Sequence, residues 1–258
     1  MKIPCSRFIS RLAAGCAGPL LAAVALAAGG AEHREIINAG IGGDNTADLL
    51  ARLDRDVLAH APELVVLLAG TNDLLNSRNE VPLAQYRENL GALVRRIQAK
   101  GIRLVLMTMP PVYPPYLLQR HPAEFYGRGG PAPRLAAGNA VVHEVARENH
   151  LPVVELFDAF QQAGGASERP ASLIRNAANS GKEDGIHPTA AGYRLIGGLV
   201  AEVMVRENLS SRRRIVCFGD SITRGVHMAG EGTATGETYP AFLSRALDEK
   251  HSPGPAAR

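Results

Sequence analysis

Ile215-Val216-Cys217-Phe218-Gly219-Asp220-Ser221-Ile222-Thr223 starts as an unbroken apolar run and breaks into small and polar residues. A run with no polar face is how a strand covered on both sides of a parallel sheet reads. Leu64-Val65-Val66-Leu67-Leu68, continuing into Ala69-Gly70-Thr71-Asn72-Asp73, has the same form. The five predicted strands are 35–38, 64–69, 103–107, 153–156 and 214–218. Between them, apolar residues recur at three- and four-residue spacing: Leu49, Leu50, Leu53 and Val57, then Leu83, Tyr86, Leu90, Val94 and Ile97. Further helices are expected over 134–149, after Pro188 and over 239–250. Strands alternating with amphipathic helices predict an α/β domain on a mostly parallel five-stranded sheet.

The chain has 258 residues, 46% of them hydrophobic and 21% charged, which suits one domain with a sizeable core. A formal net charge of +3, with no basic stripe interleaved with aromatics, gives nucleic-acid binding no support. Residues 1–31 carry Lys2, Arg7 and Arg11, an Ala/Leu-rich run and small residues near the end. That is the layout of a secretory signal peptide. The expected organisation is a leader over 1–31 and a single domain over 32–258. The expected location is periplasmic or secreted, a membrane-anchored leader being the alternative. Once Cys5 and Cys16 leave with a leader, Cys217 stands alone on a strand and reads as a small core residue.

Four blocks carry chemistry. In chain order they are Asn38-Ala39-Gly40-Ile41-Gly42-Gly43-Asp44, Gly70-Thr71-Asn72-Asp73, Asp184-Gly185-Ile186-His187-Pro188 and Gly219-Asp220-Ser221. A serine at the carboxyl end of a strand can meet substrate, but its hydroxyl needs an adjacent base. Asp184-x-x-His187 offers a carboxylate and an imidazole three residues apart; alone, Asp184 also reads as a helix cap. Gly40-Ile41-Gly42-Gly43 lacks a Walker lysine and the G-x-G-x-x-G spacing of a nucleotide loop. The other histidines (33, 60, 121, 143, 150, 227 and 251) show no metal-binding spacing and read as surface or packing residues; no metal or cofactor is expected. Asp44, Asp73 and Asp220 are expected to hold loops together by hydrogen bonds.

Together these blocks resemble the SGNH hydrolases, also called the GDSL esterase/lipase family. There the Gly-Asp-Ser block normally comes first, so this chain resembles a circular permutant. The resemblance implies a three-layer α/β/α sandwich of flavodoxin-like type. It implies a triad of Ser221, His187 and Asp184, with an oxyanion hole from Ser221 N–H, Gly43 N–H and the Asn72 side chain. It also implies a serine esterase; the expected export and the lack of a separate lipid-binding apolar segment after the leader point to short acyl groups, carbohydrate acetates among them. Thioesterase or lysophospholipase activity on the same fold, and a non-catalytic binding module, are the alternatives. The expected partner is a small-molecule or carbohydrate ester, without stable membrane insertion after leader cleavage; oligomeric state is left open. The permuted order makes one spatial demand. The link from the helix ending near Asn208 to Arg214 spans about 17 Å at most. If those ends lay further apart, Ser221 would have to serve a neighbouring protomer.

Overall fold

The computed structural model describes residues 34–251, with side chains through 249. The expected leader over 1–31 lies outside the described residues. Five strands form one sheet: β1 Glu35–Gly40, β2 Leu64–Leu68, β3 Arg103–Met107, β4 Val153–Val154 and β5 Arg214–Gly219. Their order is β1-β5-β2-β3-β4, and every pairing is parallel. The strand last in sequence thus lies between the first two, with Gly219 level with Gly40 on one side and Leu68 on the other.

Alternation along the strands explains why the apolar runs are continuous. Val65 and Leu67 of β2 and Val216 and Phe218 of β5 join one core cluster, shared with Leu49, Leu53, Leu90, Val94 and Val142. Leu64, Val66, Leu68, Ile215 and Cys217 join a second, shared with Phe160, Ile196, Val200 and Leu243. Both sheet faces are therefore apolar and covered by helices, the three-layer arrangement. The first face carries α1 Thr46–Asp56, and the carboxyl end of β2 runs into α2 Thr71–Leu75. α3 Leu83–Gln98 follows on that face. After β3 come α4 Pro114–Arg120, α5 Ala123–Tyr126 and α6 Pro131–Glu148. The second face carries α7 Leu156–Gln162, then, beyond the short α8 Ala177–Ser180, α9 Ala190–Arg206. After β5, α10 Ser221–Arg224 is a single turn and α11 Tyr239–His251 packs against α9.

Segment 110–133 holds the short helices α4 and α5 and the start of α6. Proline fits both starts: Pro114 opens α4, where an amide hydrogen would lack a partner anyway, and Pro122 caps α5. Tyr116 and Tyr126 are buried, and Tyr126 Oη donates to Leu75 O at 2.8 Å, so the segment is packed onto the domain.

The route from α9 into β5 is short because the helix is stopped sharply. Asn208 takes φ +56°, its N–H bonds Val205 O at 3.1 Å, and Leu209 N–H bonds Met204 O at 2.7 Å. This is a Schellman closure with asparagine in the left-handed position that glycine usually fills. Leu209 is buried beyond it, and the chain enters β5 at Arg214. Residues 207–213 join α9 to β5.

Close approach explains two glycines. A Cβ on Gly40 would overlap the backbone nitrogen of Arg224, and one on Gly219 would overlap Leu68 O and the Thr223 side chain. The bare glycines let the turn at Thr223 and Arg224 pack against the carboxyl ends of β1 and β5.

Candidate active site

Asp220 caps the turn after β5: its Oδ1 accepts the Ile222 N–H at 2.9 Å, which makes Ser221 the first residue of α10. Asp220 is fully buried, and burial pushes its carboxyl up to about 6, against the pull of the Ile222 N–H. Ser221 itself stays half-buried at the sheet's carboxyl edge. Asn38 stitches the neighbouring strand to this turn: its side chain donates to Arg224 O at 3.3 Å and Thr233 O at 2.9 Å, and accepts Gly40 N–H.

The glycine block rests on polar contacts. Gly43 has φ +89°, which suits glycine, and the Asn79 amide holds its carbonyl at 2.7 Å. Asp44 Oδ2 receives the Arg52 guanidinium at 2.5 Å. Arg52 is buried and also donates to Ala39 O and Gly219 O, both at 2.8 Å, so one cation ties together the ends of β1 and β5 and the glycine loop. Asp73 Oδ1 accepts the N–H and hydroxyl of Thr46 at 2.9 and 2.5 Å, fixing α1 to α2. All three aspartates serve as loop holders, as expected. Asn72 donates one amide hydrogen to Asp44 O at 3.0 Å, and its oxygen accepts from Asn76 at 3.1 Å. Its second amide hydrogen has no acceptor among the described residues, nor do the Gly43 and Ser221 N–H groups.

Asp184 and His187 sit on a braced loop. Arg175 N–H bonds His187 O, Gly185 N–H bonds Arg175 O, and Thr189 N–H bonds Leu173 O, while Tyr113 N–H holds Gly185 O from the other side. The cap of α9 is Thr189, whose hydroxyl accepts Gly192 N–H, which leaves Asp184 free for the histidine. His187 Nδ1 lies 3.0 and 2.9 Å from the two Asp184 oxygens, and Asp184 Oδ1 also accepts the backbone N–H of Ile186 and His187. Burial works to raise the Asp184 carboxyl, but the His187 ring and these N–H groups outweigh it and hold it down at about 2. The carboxylate thereby places the proton on Nδ1 and leaves Nε2 as the basic nitrogen.

Ser221, His187, Asp184, Gly43 and Asn72 line one cavity of about 630 Å³, and all come from a single chain. His187 Nε2 is buried within it without a hydrogen-bond partner. Catalytic hydrogen bonds of this kind often close only once substrate is bound. Two histidines read from sequence as surface or packing residues also line the cavity. His121 Nδ1 meets Ser77 Oγ at 2.9 Å, and His227 presents its ring at 5.4 Å and 89° to that of His187. The sequence carried no local signal for either, since only the folded loops bring them there.

The sequence profile of the GDSL-like Lipase/Acylhydrolase family matches residues 12–195. The chain belongs to that family. It is accordingly a carboxylic ester hydrolase. The matched stretch covers the glycine, asparagine and Asp184–His187 blocks and stops before β5, so Ser221 lies outside it. The lipoprotein YqeF of Bacillus subtilis (strain 168) is 30% identical over 174 residues, 63% of this chain and 70% of that protein. An acetylxylan esterase of Geobacillus stearothermophilus is 27% identical over 175 residues, 62% of this chain and 68% of its own. The crystal structure of a GDSL-like lipase from Bacteroides thetaiotaomicron superposes with a TM-score of 0.50 at 23% identity, covering 65% of this chain and 74% of that one. The likeness to that structure is one of fold. Among the described residues, no helix is long and apolar enough to cross a membrane.

Proposed function

We propose that this hydrolase cleaves short-chain acyl esters, acetylated carbohydrates among them, through Ser221, His187 and Asp184. The observation that carries the reading is the convergence of a carboxylate-paired imidazole, a strand-end serine and three uncommitted donors on one cavity. Ser221 Oγ attacks the ester carbonyl while His187 Nε2 takes its proton, and Asp184 stabilises the imidazolium that forms. The oxyanion is received by the N–H groups of Ser221 and Gly43 and by the Asn72 amide. Collapse expels the alcohol, which receives the proton from Nε2. Water activated by the same nitrogen then releases the acid from the acyl-enzyme.

The lining argues for a small acyl group and a hydrophilic alcohol. Among the described residues, Leu75, Ile186 and Val226 supply apolar side chains, and Asn72, Asn76, Arg120 and Lys182 supply polar ones. The polar groups can hydrogen-bond sugar hydroxyls, and three apolar side chains suit a short acyl group. The position of β5 between β1 and β2 supports the permuted block order, with the serine strand supplied from the far end of the chain. The leader-like layout of 1–31 supports export.

The experiment is hydrolysis of acetyl, butyryl, octanoyl and sugar-acetate esters by the wild type and Ser221→Ala, together with labelling by a serine-directed fluorophosphonate. Wild type should be labelled and favour the acetyl substrates, and Ser221→Ala should be inert in both assays. A variant that turns over at the wild-type rate refutes the mechanism. A folded wild type that is neither labelled nor active indicates a binding module.

A further inference from the structure

We propose that Asp184, His187 and His227 form a site for a zinc-class divalent cation that switches the hydrolase off. One donor atom from each of the three lies within 4.8 Å of the other two. Asp184 Oδ2 is 2.9 Å from His187 Nδ1 and 3.6 Å from His227 Nε2. Nitrogen and oxygen ligands bound to tetrahedral zinc at about 2.0–2.2 Å lie roughly 3.4 Å apart. The two measured edges bracket that separation, so small side-chain adjustments complete the set. Two imidazoles and a carboxylate are also a donor combination that zinc accepts while leaving a fourth position for water.

His227 stands there by backbone constraint. It has φ +71°, its N–H is held by Glu231 Oε2 at 3.0 Å, and Glu231 is in turn held by Arg224 Nε at 2.8 Å. A left-handed conformation at a non-glycine residue costs free energy and persists where its surroundings enforce it. The ring it aims at the dyad makes no hydrogen bond among the described residues, its nearest polar partner being Asp184 at 3.6 Å. Among the described residues no hydrogen bond or ion pair joins His227 to Ser221, Gly43 or Asn72, so the proposed attack of Ser221 is written without it. Arg175 opposes the cation, with its Nε 3.7 Å from the same Asp184 oxygen.

Binding would act through the proton. A metal on His187 Nδ1 occupies the lone pair there and obliges the neutral ring to carry its hydrogen on Nε2. Nε2 then has no lone pair for the Ser221 proton, and attack stops until the metal is removed. The switching step rests on the triad proposed above, whereas binding itself does not.

The test is calorimetric titration of the chelator-stripped full chain with zinc chloride, with the visible spectrum of the cobalt(II) form as a second readout. Wild type and Ser221→Ala should each bind one equivalent and give tetrahedral cobalt bands. His227→Asn, chosen because asparagine tolerates positive φ, should weaken binding by about 10-fold or more, as losses within a metal site do. Arg175→Gln should strengthen it. Zinc should abolish wild-type ester hydrolysis reversibly, with the zinc midpoint raised by about the same factor in His227→Asn. Equal affinity in wild type and His227→Asn overturns the site, as does absence of binding at roughly millimolar zinc. Stoichiometric binding that leaves turnover unchanged overturns the switch. If Ser221→Ala keeps turning over while zinc still binds and His227→Asn still weakens it, the triad reading fails and the metal site stands.

Discussion

Asp184→Asn isolates the work of one charge. Asparagine has the same shape, and its Oδ1 can still accept the Ile186 and His187 backbone N–H groups that the carboxylate takes at 3.0 and 2.9 Å. The loop should therefore keep its form. What changes is one of the two groups facing His187 Nδ1: the oxygen at 2.9 Å becomes an NH₂, while Oδ1 stays at 3.0 Å. The NH₂ repels an Nδ1–H and favours the ring with a lone pair at Nδ1 and its hydrogen on Nε2, the wrong nitrogen for a base. The charge contribution can be read from the carboxyl itself. Held at about 2 against the ordinary 3.8, it favours the ionised form by roughly 2–3 kcal/mol, a stabilisation that the His187 ring shares with the backbone N–H groups of Ile186 and His187. Asparagine loses the His187 share, and loss of the tautomer takes the total toward about 10⁴ in kcat, the cost expected of a Ser-His-Asp triad. Saturation kinetics with p-nitrophenyl acetate should show the fall in kcat with little change in KM, because Asp184 does not reach the ester. Thermal unfolding should confirm that the variant is folded. A folded Asp184→Asn that loses less than about 10-fold in kcat would show that the carboxylate is a loop brace and no more.

Removing the donor of Asn72 with Asn72→Ala should cost about 100- to 1000-fold in kcat, or roughly 3–4 kcal/mol, with folding preserved. Wild-type kcat in that variant would take the side chain out of the oxyanion hole. Asp220→Asn should change the pH dependence of stability. The folded carboxyl is raised to about 6, above its unfolded value, so the native chain holds the extra proton from about pH 4 to 6. Stability is then fullest below that window and falls by roughly 3 kcal/mol as pH rises through it. An asparagine there stays neutral at every pH, so urea midpoints of the variant should lack this fall. An unchanged slope would place the titration elsewhere.

The central strands were legible because burial on both sides demands unbroken apolar runs: β3 has the predicted bounds, and β2 ends one residue early. The ends of β1 and β5 were less so. Gly40 and Gly219 pair in register as strand residues, yet glycine carries no strand signal of its own. β4 stops at Val154 because Glu155 caps α7, a helix of two turns whose buried residues, Leu156 and Phe160, are too few to show a period. Of the candidate site, the residues marked by local spacing, namely the Asp184–His187 pair, the glycine loop and the strand-end serine, do come to line one cavity. Arg52 and His227 could not, because each acts across the fold. Arg52 reaches from α1 to the ends of two strands, and His227 gains its neighbour from a segment some forty positions earlier in the chain.

The placement of β5 has a consequence for synthesis. Until residues 214–219 leave the ribosome, β1 and β2 have only an unfilled slot between them, each with a row of amide and carbonyl groups awaiting a partner. Such edges invite pairing with other chains, so the nascent protein passes through an interval of exposure to aggregation. The strand that closes the slot also carries Ser221 at its carboxyl end, so completion of the sheet and delivery of the proposed nucleophile are a single event. A product terminated before β5 would expose both edges and lack Ser221.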